Sequence, residues 1–343
     1  MTLVGVNVRR TLQLLLAVVL LFGATTVIAS QSAHAAFPGS SDWIVFENDS
    51  DGDFDLYVTP VDGGTPTKIS DSLFWQVDPV FSPDGTKVAF ASNHEGTSSI
   101  YVAGFDPTGP SMDASTSWVR VSSGGSDGEP TWAPDGLTLA FQRLFNFNVS
   151  GTADGTSATV LTDDATPPSG PATFGASGVV AGHTVTNTTA ATAGSVVSVD
   201  SATQVTTDIA WTVGDEYIIS VSHRQIMKAA ADGTDSGAEI QLGGQGATPA
   251  YSDYQPSWDP DGALIAFTTT RNGNADIYVF TTAGGSPTNL TDNTATSIDA
   301  WATRPSWSPD GDFVAFQTKE PDTAVENIWK VNRAGSAATA VTS

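Results

Sequence analysis

Apolar residues in this chain come in short runs whose β-branched and aromatic members alternate with small or polar ones. Thr-Lys-Val-Ala-Phe90, Leu-Thr-Leu-Ala-Phe141, Ala-Leu-Ile-Ala-Phe267 and Asp-Phe-Val-Ala-Phe316 share this form. Such a pattern suits a pleated strand buried on at least one face. Ahead of each run stands a polar turn: Asp78-Pro-Val-Phe-Ser-Pro-Asp-Gly85, Glu129-Pro-Thr-Trp-Ala-Pro-Asp-Gly136, Gln255-Pro-Ser-Trp-Asp-Pro-Asp-Gly262 and Arg304-Pro-Ser-Trp-Ser-Pro-Asp-Gly311. Proline presets φ near −65°, aspartate bonds its own backbone, and glycine takes the φ > 0 position, so each copy predicts a hairpin. A further aromatic-ended strand follows each run, from Phe90 to Tyr101, Phe267 to Tyr278 and Phe316 to Trp329. Another closes each unit in Lys68-Ile-Ser70, Arg120-Val-Ser122, Asn289-Leu-Thr291 and Ala340-Val-Thr342.

Four short antiparallel strands repeated at roughly 40 to 50 residues predict an all-β chain folded as a β-propeller. The pattern Pro-x-Trp-Ser-Pro-Asp-Gly-x-x-φ-Ala-Phe, then Ile-Tyr, then Leu-Thr, resembles the WD-like repeat of the TolB-type β-propellers. It covers most of residues 41–143 and 224–343. Residues 41–71 read as a first repeat without its opening strand, with Trp43-Ile-Val-Phe46 in place of the Ala-Phe run. The count is therefore four complete units plus one short of a strand. The resemblance implies six blades; five-bladed closure is the expectation from the count, with six as the alternative.

The third repeat breaks the period. Phe141 meets its Ile226-Met227 strand only after an insertion spanning 144–223, rich in Thr, Ala, Gly, Ser and Val. Candidate strands at Ala158–Leu161, Thr184–Asn187, Ser195–Ser198, Gln204–Thr207 and Tyr217–Ser220 predict a small all-β module. The propeller accordingly divides into 41–143 and 224–343 around it.

Composition narrows the setting. With no cysteine, disulfides and thiolate metal sites are excluded. Arg9 and Arg10 precede an apolar run from Leu14 to Ile28, and Ala33-His-Ala35 carries small residues at the −3 and −1 positions, so residues 1–35 read as a signal peptide. Removing it takes away two of 13 basic residues and none of the 37 acidic ones, moving the net charge from −24 to −26. Such a surface repels phosphate, which argues against nucleic acid and against anionic membranes once the leader is gone. The expected location is periplasmic, extracellular or on the cell surface.

Chemistry is sparse. There is no Gly-x-Ser-x-Gly elbow, and the histidines after the leader, His94, His183 and His223, do not share an equivalent repeat position. Enzymatic activity is not indicated by any constellation. Asp49, Asp51, Asp53 and Asp55 alternate around Gly52 and suit a hard cation such as calcium, although position twelve of an EF-hand-like loop is Pro60, which cannot supply the bidentate carboxylate of that pattern. In a propeller, the loop entering each innermost strand borders the central channel; here those loops carry Trp75, Asp78, Asp127, Glu129, Asp253, Tyr254, Gln255, Asp299, Trp301 and Arg304. Aromatic rings mixed with carboxylates suit stacking and hydrogen bonding to a protein, peptide or glycan. A non-enzymatic binding protein is the leading expectation. A glycan-active hydrolase or lyase using channel carboxylates and a cell-surface structural or adhesion protein are the alternatives.

Overall fold

The computed structural model describes residues 42–50, 52–123, 125–155, 159–163, 174, 179, 181–236, 239–242, 251–283, 286–291, 301–319, 326–335 and 338–342. Within them the chain forms 24 strands and one short 3-10 turn at Ser115–Ser117. The predicted signal peptide lies outside the described residues. Among those residues no helix is long and apolar enough to cross a membrane.

The four predicted hairpins are present and become the inner halves of four blades. Each pairs an opening strand with the Ala-Phe strand: β4 (Gln76–Phe81) with β5 (Lys87–Ser92), β9 (Ser126–Trp132) with β10 (Thr138–Thr152), β17 (Asp253–Trp258) with β18 (Leu264–Thr269), and β21 (Trp301–Trp307) with β22 (Phe313–Lys319). In every turn the glycine donates to the residue three back, as Gly85 does to Ser82 at 2.9 Å and Gly311 to Ser308 at 2.9 Å. These glycines hold φ between 67° and 74°, which an L side chain tolerates poorly. The turns also stack on one another: a Cβ on Gly262 would meet the ring of Pro134 at 3.5 Å, and one on Gly311 the ring of Pro260 at 3.6 Å.

Each meander then continues outward through β6 (Ser99–Asp106), β15 (Glu216–Ala230), β19 (Asp276–Thr281) or β23 (Glu326–Asn332). The outermost pieces are short: β8 (Val119–Arg120), β16 (Ile240–Gln241), β20 (Thr288–Asn289) and β24 (Thr339–Ala340). The Ser or Thr that ends each unit has a definite task. Its hydroxyl oxygen accepts the N–H that opens the neighbouring strand, from Leu56 to Ser70 at 2.7 Å, Ile100 to Ser122 at 2.8 Å, Ile277 to Thr291 at 3.1 Å and Ile328 to Thr342 at 2.9 Å. A fifth sheet, β1 (Trp43–Asn48), β2 (Asp55–Pro60) and β3 (Thr67–Lys68), has three strands. Among the described residues it has no counterpart of the opening strand.

Packing between blades is carried by the aromatic residue of each opening strand. Trp132 is 1% exposed and its indole N–H donates to the Val80 carbonyl of the previous blade, as that of Trp307 does to Ser257. Apolar clusters accordingly bridge adjacent sheets: Val80, Ala89 and Ile100 pack with Trp132, Leu139 and Phe141. β1 lies against β4, β4 against β9, β9 against β17 and β17 against β21, so the innermost strands face one shared centre.

The long-range pairing Phe141↔Met227 is present, and it is one rung of an unbroken ladder from Thr138↔Ala230 to Thr152↔Glu216. β10 and β15 thus run straight through positions 144 and 223. Beyond the blade they extend into β12 (Thr184–Asn187), β13 (Thr192–Ser201), β14 (Gln204–Thr207) and β11 (Val160–Thr162), all in one continuous sheet. That extension has its own apolar core, including Leu161, Phe174, Val185, Val205, Trp211, Tyr217 and Ile219.

Candidate functional site

The residue before the first proline of each repeat is the most constrained point of the fold. Asp78, Glu129, Gln255 and Arg304 all sit at positive φ, between 49° and 56°. Pre-proline residues favour extended backbone, and non-glycine residues seldom occupy the left-handed region, so four repetitions of this conformation mark a requirement of the architecture. The cause is a bulge. Pairing of β4 with β5 jumps between Val77 and Val80, that of β17 with β18 between Tyr254 and Ser257, and that of β21 with β22 between Thr303 and Ser306. Two residues of the opening strand have no partner there, and the first of them is re-aimed.

Side chains re-aimed in this way link one blade to the next. Asp78 accepts the backbone N–H of Glu129 at 3.0 Å through Oδ2, and Gln255 accepts that of Arg304 at 2.9 Å through Oε1. Thr268 also donates to Gln255 Oε1, leaving the Gln255 amide nitrogen as the donor for its bond to Glu129. In the three-stranded sheet, whose described residues include no opening strand, Glu47 of β1 takes this part: its Oε2 accepts the Asp78 N–H at 2.6 Å. A chain of side-chain bonds therefore runs Glu47, Asp78, Glu129, Gln255, Arg304.

Three carboxyls share this centre with the guanidinium of Arg304, and Arg224 also acts on Glu129. Burial pushes the Glu129 carboxyl up to about 7, the Asp78 charge adds to the rise, and Arg304 opposes it. Burial likewise lifts Glu47 to about 7, against the Asp78 N–H bond that lowers it. Near neutral pH each of these two groups can donate as well as accept. Glu129 Oε2 and, one strand over, Gln142 Oε1 are buried without a hydrogen-bond partner among the described residues. Both are acceptors awaiting a donor.

Other residues expected at the channel mouth have separate roles. Asp127 is 2% exposed and grips Arg143 with both oxygens, at 2.7 and 2.9 Å. Asp253 is fully buried and holds Arg271 at 2.9 and 3.1 Å, while that guanidinium lies over the rings of Tyr251 and Tyr278. Each of these two aspartates ties its opening strand to an arginine further along the chain. Trp75 is half-buried against the cluster between blades, Tyr254 is half-buried, and Trp301 is exposed. Asp299 lies outside the described residues.

Sequence reading missed Glu47, Gln142 and Thr268. Each follows the phenylalanine of its Ala-Phe or Val-Phe strand, so superposing the repeats by that phenylalanine exposes the position. Of the four aspartates considered for calcium, Asp51 lies outside the described residues. Asp55 is buried and its carboxylate meets Lys68 Nζ at 2.6 Å. Among the described residues no group of three or more His, Asp or Glu is placed to hold a metal ion.

Comparison with known proteins agrees with this architecture. A structure of a TolB-type protein from Agrobacterium tumefaciens superposes with a TM-score of 0.50 at 17% identity, covering 89% of this chain and 79% of that one. TolB from Acinetobacter baumannii gives 0.49 at 15% identity, over 100% and 60%, and a manganese-bound oligogalacturonate lyase gives 0.43 at 12%, over 91% and 77%. In sequence, an uncharacterised protein of Agrobacterium fabrum is 29% identical over 109 residues, 30% of this chain; the chain spans 36% of that relative's length. The description "TolB beta propeller domain" matches residues 23–216, more than half of the chain. With the repeat, the bulged opening strands and this match together, the chain belongs to the TolB β-propeller domain family.

Proposed function

We propose that this protein is an exported, non-enzymatic propeller that binds an extended segment of a protein or peptide at the mouth of its channel. The observation that supports the reading most directly is the row Glu47, Asp78, Glu129, Gln255, Arg304, where constrained side chains converge and two buried acceptors are unfilled. An acidic centre, with carboxyls outnumbering guanidinium groups, favours ligands with amide and cationic donors. In this reading β1–β3 is a fifth blade and the extension of blade three is a module that adds a second wall beside the channel. Export follows from the leader reading of residues 1–35, and the domain family supports a periplasmic or surface location.

A second reading, glycan hydrolysis or lysis, draws support from the two carboxyls held near neutrality, since a group with such a pKa can act as a general acid. One experiment addresses both. Peptide-display selection against the purified protein should enrich sequences carrying Lys or Arg, with binding lost in Glu129→Gln and in Arg304→Ala. Turnover of oligosaccharides that disappears in Glu129→Gln while their binding persists would replace the first reading by the second.

A further inference from the structure

Four blades show what the inner edge of the second strand from the channel needs, and among the described residues no strand supplies it to β1. Ile44 occupies the position of Val88, Leu139, Ile265 and Val314, all 0% exposed, yet Ile44 is only half-buried. Phe46 stands where Phe90, Phe141 and Phe267 are 0% exposed and Phe316 is 1% exposed, and it too is half-buried. Main-chain pairing tells the same story. The Val61 N–H donates to the Asp42 carbonyl, and the register Ile44↔Thr59 and Phe46↔Tyr57 continues that ladder. Residues at alternate positions, Val45 and Glu47, therefore present their N–H and C=O groups away from β2. In blade two the matching groups serve the opening strand, through Val80↔Ala89 and Val77↔Ala91.

We propose that the inner edge of β1 accepts an extended strand of a partner protein, antiparallel and of the pattern x-Pro-x-aromatic. The chemistry of the occupant is read from the opening strands themselves. Gln76-Val-Asp-Pro-Val-Phe81, Asp253-Tyr-Gln-Pro-Ser-Trp258 and Ala302-Thr-Arg-Pro-Ser-Trp307 place an aromatic ring between sheets and a left-handed residue before proline at the channel. A strand added to β1 in that register completes the ladder at Val45 and Glu47 and lays its aromatic ring against Ile44 and Phe46, as Phe81 packs in one cluster with Val88 and Phe90, which is recognition by strand addition to an exposed edge. Glu47 already substitutes for the missing pre-proline acceptor, through its bond from the Asp78 N–H.

The source follows from register. Phe81, Trp132, Trp258 and Trp307 each lie nine residues before the phenylalanine of the next strand, and nine residues before Phe46 is Phe37. Residues 32–37 are thus the chain's own sequence counterpart of the missing strand, and they lie outside the described residues. Cleavage after Ala35 would leave two of those six, so the strand comes from another molecule; this step rests on the leader reading.

The test uses the exported protein, its N-terminus read by intact mass, titrated with a labelled peptide of sequence Gln-Val-Asp-Pro-Val-Phe-Ser and followed by fluorescence anisotropy. Saturable binding is expected, weakened at least tenfold by replacing the peptide phenylalanine with alanine or by N-methylating alternate amides. Val45→Pro, which removes a donor from the free edge without touching the β2 ladder, should abolish binding. The N-methylated peptide carries the test should that variant fail to fold. No binding by a chain beginning at Ala36, or equal binding of a scrambled peptide, overturns the proposal. A mass showing residues 32–37 retained, with the peptide refused, gives the edge to the chain's own segment. Dimers that the peptide dissolves give it to a second copy. Either result overturns an external partner.

Discussion

Glu129 shows how one position joins architecture to chemistry. Its backbone is forced to a φ of 49° by the bulge in β9, its N–H is taken by Asp78, and its carboxyl is buried beside that negative charge. Folded, it holds its proton to about pH 7; unfolded, it releases it near 4.5. Between these values the folded state binds more protons than the unfolded one, so its contribution makes stability fall as pH rises through that window. Glu129→Gln is expected to melt at the same temperature as the parent at pH 4 and several degrees higher at pH 8, checked by calorimetry at the two pH values. At the same class of position, Arg304→Val should cost about 1–2 kcal/mol more than Arg304→Gly, because a β-branched residue is strained at a φ of 56° where glycine is not. Chemical denaturation of the two variants measures this.

At the scale of the element, each opening strand works as a unit of bulge, proline and aromatic wedge. Trp132 and Trp258 are equivalent by sequence, yet the first donates to the Val80 carbonyl and the indole nitrogen of the second is buried with no hydrogen-bond partner among the described residues. Trp132→Phe should therefore lose about 1 kcal/mol more than Trp258→Phe, and Trp132→Ala about 3–5 kcal/mol in all. The Asp127–Arg143 pair joins β9 to β10 at the root of the extension, with side chains 0% and 9% exposed. Asp127→Ala would strand a buried guanidinium and is expected to destabilise by about 3–5 kcal/mol, whereas Asp127→Leu combined with Arg143→Met should recover most of it, read from urea midpoints. Glu239, 3.3 Å from the same guanidinium, extends the network to the loop before β16.

Across the whole molecule the dominant fact is charge. A chain at −24 repels itself, and the acidic centre sets three carboxyls against Arg304 and Arg224. Raising NaCl from 10 mM to 1 M shortens the screening length from about 30 Å to about 3 Å, so the melting temperature should rise with salt. A flat or falling salt profile would show that local pairs such as Arg333 with Asp259 and Asp261, at 3.0 Å each, outweigh the net repulsion. The blade-three extension shares strands β10 and β15 with the propeller but packs a core of its own, which couples the two through the backbone ladder.

How much of this was legible beforehand follows the range of the interactions. Turn chemistry and the alternation of apolar residues are local, so the repeat announced the four hairpins, the short first unit and even the Phe141 partner at Met227 across the insertion. The pre-proline residues were expected at the channel mouth once the repeat was read as a propeller. Their left-handed backbone, the bonds passed from blade to blade and the entry of Glu47 were not legible, because these depend on which strands become neighbours about a common centre. Asp127 and Asp253 read like ligand carboxylates for the same reason: sequence displays the acid but not the arginine folded against it. The edge of β1 draws on both, since the chain's periodicity says which strand belongs beside it and only the packed sheets show Ile44 and Phe46 half-buried where their counterparts are fully buried.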